Sequence, residues 1–234
     1  MVNKNMFKLN KITIPKDEVL RYLGYKKQQI DKNLDNIINQ TIEESINLIN
    51  PKFTFKTFIP SIKEEGVLLE GTTLILKGKD ITNHLKSSKE TVIMAVTVGS
   101  EIERKIKYYE KTELTKALIM DACATTAVEE VCDRIEEYVI DSAKDRFLET
   151  TFRYSPGYGD LPLSIQRDFI NTINAGREIG LTVSPQNLLM PRKSVTAIIG
   201  LIPKGTEKVK KSGCEVCKNF ENCSFRKEGV TCGS

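Results

Sequence analysis

A loop-forming stretch at residues 151–162 constrains this chain more than any other part of the sequence. It follows a long helical pattern and reads Thr-Phe-Arg-Tyr-Ser-Pro-Gly-Tyr-Gly-Asp-Leu-Pro. Pro156 fixes its own φ angle and disfavours helix at Ser155. Gly157 and Gly159 permit backbone angles that are closed to other residues. The stretch, called the Arg153 loop below, is therefore neither helix nor regular strand.

The residue types in this loop suit a flat ligand that carries a carboxylate. Its glycines let a ligand approach the main chain closely, and Arg153 offers a planar fork of donors for a carboxylate. Two aromatic residues, Tyr154 and Tyr158, lie beside it in the sequence. An ordinary surface turn with two glycines is the alternative, and the short pattern alone does not decide between the two.

Three blocks of sequence resemble the activation domain of cobalamin-dependent methionine synthase. Arg153 to Tyr158 is similar to the Arg-x-x-x-Gly-Tyr signature of that domain. Asp121 to Ala124, followed by Val128-Glu129, resembles its helix of small residues with a ligand-contacting glutamate. Met190-Pro191 and Ser194-Val195-Thr196 resemble one of its strand entries. The blocks occur in the family order, which makes the resemblance more specific than any one block.

The resemblance implies binding of S-adenosylmethionine, which the family uses to reactivate oxidised cobalamin. It implies that Arg153 holds the ligand carboxylate and that Glu129, rather than Glu130, opposes the positive charge of the ligand. Main-chain groups of the loop are expected to contact the adenine. No catalytic residue is predicted, because methyl transfer requires alignment rather than an acid or base. The predicted ligand-binding residues are Glu129, Arg153, Tyr154, Ser155, Pro156, Gly157 and Tyr158.

Departures from the family pattern bear on the partner and on the ligand ammonium. Gly24 stands where the family carries an aspartate, and the tyrosine pair that follows the last strand is missing. The chain contains no Asp-x-His-x-x-Gly cobalamin motif. We therefore expect the cobalamin to be supplied by a separate cobalamin-binding methionine synthase chain, with an electron-donor protein as a further candidate partner. Another corrinoid protein is the alternative partner.

The predicted elements indicate an α+β fold with a mainly antiparallel sheet. The resemblance implies a curved single domain around a bent antiparallel sheet with flanking helices. We expect this domain to span residues 1–203, and a basic linker with a Cys-rich tail to span residues 204–234. The elements predicted from periodicity are a strand over residues 6–14, helices at Glu18–Leu23 and Ile30–Ile49, a strand at Phe53–Ile59, a hairpin around Gly71, a strand at Thr91–Val98, a long helical run at Thr112–Phe147, a helix at Ile165–Ala175 and a strand at Ser194–Ile202.

Several single positions carry expectations of their own. Asp17 and Ser164 are predicted as helix caps, and Gly176 as the end of a helix. His84 is predicted to lie at the surface. Two cysteines within the helical run, Cys123 and Cys132, are predicted to be small core residues.

Composition bounds the class of protein. No apolar run approaches the length that a membrane helix needs, and the N-terminus lacks the apolar core of a signal peptide. We therefore expect a cytoplasmic protein with no membrane partner. The net charge of +4 is mild and does not favour nucleic acid as a partner.

Four cysteines crowd the C-terminus and predict a metal centre. Cys214, Cys217, Cys223 and Cys232 would provide four thiolates for zinc or for an iron–sulfur cluster. In a reducing compartment such crowding indicates metal rather than disulfides, although cysteines without a ligand are the alternative. A second hypothesis for the whole chain follows: a metal-stabilised binding module that contacts another corrinoid protein or nucleic acid through its basic Cys-rich tail.

The tail prediction can be tested by elemental analysis of protein produced without oxygen. We expect one metal centre per chain, which absorbs visible light if it is an iron–sulfur cluster and is colourless if it is zinc. A variant with serine at all four cysteines should lose the metal and keep its fold, because the tail follows the last predicted strand. Absence of both zinc and iron would contradict the metal site, and loss of the fold would show that the tail belongs to the core.

Overall fold

The computed structural model describes residues 9, 11–26 and 28–207, and in this part of the chain helices alternate with antiparallel strands. The helices are α1 (Lys16–Tyr22), α2 (Lys32–Leu48), α3 (Lys79–Leu85), α4 (Glu101–Thr112), α5 (Leu114–Lys144), α6 (Gln166–Thr172) and α7 (Ala175–Ile179). The strands are β1 (Lys52–Phe58), β2 (Pro60–Lys63), β3 (Gly66–Leu69), β4 (Ile75–Leu76), β5 (Glu90–Thr97), β6 (Leu148–Thr150), β7 (Thr182–Val183), β8 (Leu189–Met190) and β9 (Ser194–Pro203). The predicted α+β class with antiparallel sheets is confirmed.

A four-stranded sheet in the order β1-β5-β9-β6 separates two hydrophobic cores. Along β5, Val92, Met94 and Val96 belong to one core, whereas Ile93 and Ala95 belong to the other. A strand that is buried on both faces needs apolar side chains at successive positions. This requirement explains the continuous apolar run from which the strand was predicted.

The long helix α5 fills the layer on one face of this sheet, together with α1, α2 and α4. Its small residues, including Ala124 and Ala127, are buried and let neighbouring elements approach closely. Cys123 and Cys132 are fully buried, as predicted. Burial raises the pKa of both thiols, that of Cys123 to about 11, so both stay protonated core residues. Among the described residues, no helix is long and apolar enough to cross a bilayer.

The opposite face of the sheet is covered by α3, α6, α7 and the three-stranded sheet β2-β3-β4. Its core includes Leu69, Leu76, Ile81 and Phe169, all of which are fully buried. The predicted hairpin around Gly71 is confirmed, since β3 pairs antiparallel with β4. Tyr154 and Leu161 of the Arg153 loop belong to this core, so the core extends to the candidate site.

The prediction of a strand over residues 6–14 is wrong in the part that the structure describes. Residues 11–14 form no strand pairs, although Ile12 and Ile14 are buried in the helical core. Alternating burial alone therefore produced the strand pattern here. The following helix α1 begins at Lys16, with Pro15 rather than Asp17 at its N-cap.

The helix predicted at Ile165–Ala175 is broken into separate pieces. A 3-10 turn at Leu163–Ile165 leads into α6, and the chain breaks again at Asn174, whose φ is +56°. Ser164 thus lies within the 3-10 turn and does not cap a helix. Gly176 lies inside α7, which ends instead at Gly180 with a φ of +71°.

His84 is buried, which contradicts its predicted position at the surface. Only 2% of the residue is exposed, and its Nε2 lies 2.8 Å from the Oγ1 of Thr151. The Gly200 N–H donates to the same Oγ1 at 2.9 Å. The ring of His84 packs edge-on against Phe152, with 4.4 Å between centroids. Burial lowers the pKa of His84 to about 4, so the imidazole is neutral near pH 7.

The buried histidine predicts a loss of stability in acid. Its folded-state pKa of about 4 lies below the ordinary value of 6.5, so the unfolded chain binds the proton more readily. The free energy of unfolding is unaffected by the titration of His84 above pH 6.5. It decreases as the pH falls towards 4, by up to about 3 kcal/mol. Urea unfolding of the wild type and of His84→Gln between pH 7 and 4 should show this loss in the wild type only. If the free energies of unfolding of the two proteins changed with pH in parallel, His84 would not be the buried neutral group responsible.

Candidate functional site

The Arg153 loop is attached to the central sheet by its own main chain. The Tyr154 N–H donates to the Ile198 carbonyl at 2.9 Å, and the Ile198 N–H donates back to the Tyr154 carbonyl at 2.8 Å. Because Ile198 lies in β9, this bridge places the loop directly beside the buried sheet. Arg153 and Ser155, on either side of Tyr154, are consequently held at defined positions.

The side chain of Tyr154 fixes the second half of the loop. It is 6% exposed, and its hydroxyl donates to the Tyr158 carbonyl at 3.2 Å. Burial, with smaller effects from the charges of Asp80 and Asp160, raises the pKa of Tyr154 to about 12. The hydroxyl therefore stays protonated and remains a donor at any physiological pH.

A tight turn follows, and it requires glycine. The Tyr158 N–H donates to the Ser155 carbonyl at 3.0 Å, and the Gly157 N–H donates to the Leu161 carbonyl at 2.9 Å. Gly157 has a φ of +93°, a conformation that side chains other than that of glycine strain to adopt. A Cβ at this position would meet only the Leu163 side chain, at 3.6 Å. The main chain at Gly157 is thus open to a ligand.

Asp160 ties the end of the loop to the beginning of α3. Its carboxylate accepts from the Lys79 N–H at 2.6 Å and from the Asp80 N–H at 3.1 Å. Charge-assisted bonds of this kind satisfy main-chain donors that a helix leaves without partners at its N-terminus. Since His84 at the other end of α3 contacts Thr151, one helix supports both ends of the Arg153 loop.

Arg153 reaches across to α5 and meets three acidic side chains. Its Nη2 lies 2.7 Å from Asp133 Oδ1 and 3.3 Å from Glu129 Oε2, and its Nε lies 3.1 Å from Glu136 Oε2. We call Glu129, Asp133 and Glu136 the α5 carboxylates. Their spacing of four and three residues places them on one face of the helix. Burial alone would lower the pKa of Arg153, but the surrounding acidic groups outweigh it and raise that pKa.

Two of the predicted site residues, Arg153 and Glu129, are therefore in direct contact. The neighbouring Glu130 points elsewhere and forms an ion pair with Arg134 at 2.7 Å. The structure also shows that the fork of Arg153 is partly used, because Nε and Nη2 already face carboxylates. The remaining nitrogen, Nη1, is buried and has no hydrogen-bond partner among the described residues.

Of the remaining predicted site residues, Gly157 and Tyr158 form the outer surface of the loop. Tyr158 is 55% exposed, and Gly157 is exposed beside it. Among the described residues, the Ser155 N–H and the Gly157 carbonyl have no hydrogen-bond partner. One main-chain donor and one main-chain acceptor are thus available at this surface. Pro156 is buried and serves the turn rather than the surface.

The three sequence blocks of the family resemblance meet on α5. Lys193, which lies between Pro191 and Ser194, places its Nζ 2.9 Å from Asp121 Oδ1 and 2.9 Å from Thr125 Oγ1. Its main-chain N–H donates to Glu103 of α4 at 2.8 Å. The segment before β9 is thereby attached to the same helix that holds Arg153.

A cleft of about 370 Å³ adjoins this contact, but it contains none of the predicted ligand-binding residues. Its lining is almost entirely charged and comes from α4, α5 and the segment before β9. The lining residues are Glu103, Ile106, Lys107, Glu110, Asp121, Arg192 and Lys193. Ligand pockets are usually lined mainly by apolar groups, and this cleft is not.

Sequence reasoning missed three groups that shape the site. Asp133 and Glu136 follow Glu129 at helical spacing, so the periodicity of the α5 pattern was a signal for them. Asp160 carried no comparable signal, because its partners at the start of α3 lie 80 and 81 residues away in the chain. The four cysteines of the predicted metal centre lie outside the described residues, and within those residues no cluster of potential metal ligands occurs.

Comparison with solved structures identifies a protein of similar fold. A crystal structure described as the MetH reactivation domain bound to AdoHcy superposes with a TM-score of 0.57. The match covers 92% of this chain and 83% of that one, at 10% sequence identity. No family model and no curated protein matches the chain. The sequence resemblance to the activation domain of methionine synthase is thus confirmed as a shared fold.

Proposed function

We propose that this protein is an S-adenosylmethionine-binding activation subunit, which supports the reductive methylation of cobalamin on a separate methionine synthase chain. The contact between Arg153 and Glu129 carries the proposal. These are the two charged residues that the family resemblance assigns to the ligand, and they lie 3.3 Å apart in a shared fold. The similar domain was crystallised with AdoHcy, the demethylated form of this ligand, which supports the same ligand class here.

Arg153 is the proposed partner of the ligand carboxylate. Its bonds to the α5 carboxylates hold the guanidinium in place before a ligand arrives, which reduces the entropy lost on binding. A ligand carboxylate must nevertheless replace one of these partners or reach the buried Nη1. Asp133 is the most exposed of the three, with 56% of its side chain accessible, so its contact is the easiest to exchange.

The outer surface of the Arg153 loop is the proposed adenine site. The Ser155 N–H and the Gly157 carbonyl offer a donor and an acceptor for the edge of the base. The exposed ring of Tyr158 offers a face for stacking. The open space at Gly157 is what lets a flat base reach the main chain, and any side chain at this position would obstruct it.

The chemistry that the bound ligand supplies is an electrophilic methyl group on a sulfonium sulfur. The residues of this chain bind and orient that group; none of them needs to act as an acid or base. The rigid attachment of the loop through Tyr154, Asp160 and His84 serves this purpose, because a misplaced methyl group costs rate. The cobalamin belongs to the partner, and the electron to a donor protein.

The proposed division of the chain places the ligand-binding domain at residues 1–203. A Cys-rich tail with an iron–sulfur cluster or zinc would follow it. A redox-active cluster beside a cobalamin-docking surface would connect the tail to the electron that reactivation consumes. Another corrinoid protein remains the alternative partner, because the chain carries no feature that selects one corrinoid carrier over another.

Calorimetric titration with S-adenosylmethionine tests the proposed ligand and the role of Arg153. The wild type should bind, and Arg153→Ala should weaken binding by about 1.5–3 kcal/mol, the worth of a charge-assisted hydrogen bond. Arg134→Ala, which removes an arginine paired to Glu130 on the same helix, is the matched control and should bind normally. Failure of the wild type to bind would refute the proposed function.

Circular dichroism of the same variants separates binding from folding. Arg153→Ala leaves the α5 carboxylates without their shared cation, and we expect it to be less stable than Arg134→Ala. If Arg153→Ala is folded and binds as tightly as the wild type, Arg153 does not belong to the site.

Reactivation in trans tests the proposed partner. The protein alone should have no activity on homocysteine, since it carries no cobalamin motif. Added to a methionine synthase that lacks its own activation domain, with S-adenosylmethionine and a reductant, it should restore the methylated cobalamin spectrum. Arg153→Ala should restore it more slowly at limiting ligand concentration. A synthase that recovers equally fast without the protein would contradict the partner assignment.

A further inference from the structure

The charges around Arg153 do not balance. Glu129 and Asp133 both face a single nitrogen, Nη2, of one guanidinium. Glu136 contacts Nε of Arg153. Even when Glu136 is left out of the count, two carboxylates face one guanidinium. Among the described residues, no second cation lies within ion-pair distance of Glu129 or Asp133. Counting the described residues alone, the charge next to the proposed partner of the ligand carboxylate is therefore negative.

Two other acidic residues of α5 each have a cation of their own. Asp121 pairs with Lys193 at 2.9 Å, and Glu130 pairs with Arg134 at 2.7 Å. The part of α5 that faces the Arg153 loop therefore carries more acidic groups than the one cation they contact can balance. Glu129 and Asp133 are also accessible, with 39% and 56% of their side chains exposed. A ligand can approach both without opening the core.

We propose that Glu129 and Asp133 make this site selective for the sulfonium form of the ligand, so that S-adenosylmethionine binds more tightly than S-adenosylhomocysteine. This inference rests on the proposed function. The two ligands share the adenosine, the carboxylate and the ammonium, and they differ by one methyl group and one positive charge. An excess carboxylate beside the site attracts the additional charge and leaves the neutral thioether unaffected.

Such selectivity suits a protein that must take up a methyl donor and release its product. A site with balanced charge would hold both forms with similar strength. With an unbalanced pair, loss of the methyl group removes the charge that the carboxylates attract. Product release is then favoured by the same residues that favour binding of the donor.

Competition binding at two salt concentrations tests this inference. At about 20 mM salt, we expect S-adenosylmethionine to bind about fivefold more tightly than S-adenosylhomocysteine, a ratio in the range of exposed ion pairs. At about 500 mM salt the ratio should fall towards one. Sinefungin, which carries an amine in place of the methylated sulfonium, should bind like the charged ligand. This third ligand separates charge from the shape of the methyl group.

Asp133→Asn is the decisive variant, because it removes one charge and keeps the size of the side chain. The low-salt ratio should fall at least twofold, while affinity for S-adenosylhomocysteine changes little. Asp141→Asn, two turns further along α5 at a carboxylate paired with Lys144, is the matched control and should keep the ratio. Glu129→Gln offers a second test if Asp133→Asn does not fold.

The outcomes separate this inference from the proposed function. Equal affinity of the wild type for both ligands at low salt would overturn the selectivity and leave the proposed function intact. A ratio that Asp133→Asn does not change would likewise overturn it. Binding of neither ligand would refute the proposed function and this inference together.

Discussion

The pairing of β5 with β9 is the interaction on which the rest of the structure depends. Eight consecutive residue pairs join the two strands, from Glu90 with Leu201 to Thr97 with Ser194. Because both strands carry apolar side chains on their two faces, their pairing creates the surfaces on which both cores are built. The helices around α5 cover one surface, and α3 with the small sheet covers the other. Without the paired strands β5 and β9, neither layer would have an apolar surface to pack against.

The candidate site uses the same strand. The Arg153 loop pairs with β9 through Ile198, and the segment that leads into β9 contacts α5 through Lys193. Arg153 then connects the loop to α5 on the other side. Two independent attachments thus define the distance between the loop and the helix. Ion pairs near the surface contribute little stability, so the backbone bridge to Ile198 is the main attachment of the loop. Arg153 adds a fixed orientation towards α5 and a positive charge.

The support beneath the loop is polar, and at the His84 end it is also buried, which makes the loop geometry specific. His84 and Thr151 hold one end, and Asp160 holds the other through the main chain of α3. Buried hydrogen-bonding groups are costly when they lose a partner, so alternative loop positions are penalised. Glycine at position 200 is part of this arrangement, since a Cβ there would crowd the side chains of Leu85 and Thr151.

The elements that the sequence predicted well are those whose burial repeats along the chain. The apolar run of β5 and the periodic pattern of α5 were recognisable because one environment extends over many residues. Residues 11–14 misled the prediction, because alternation reports burial and not the presence of a pairing strand. The burial of His84 depends on Thr151, 67 residues away, and no local pattern could report it. The resemblance assigned both Arg153 and Glu129 to the ligand, and the two side chains lie in contact. Asp133 was overlooked because a single glutamate was expected.

A crystal structure of the protein with bound S-adenosylmethionine would show whether the ligand lies between the Arg153 loop and α5. We expect the ligand carboxylate at Arg153, the sulfonium beside Glu129 and Asp133, and the adenine against the main chain between Ser155 and Gly157. The loop should keep its bridge to Ile198 when the ligand binds. Density for the ligand in the charged cleft around Arg192, away from the Arg153 loop, would contradict the account.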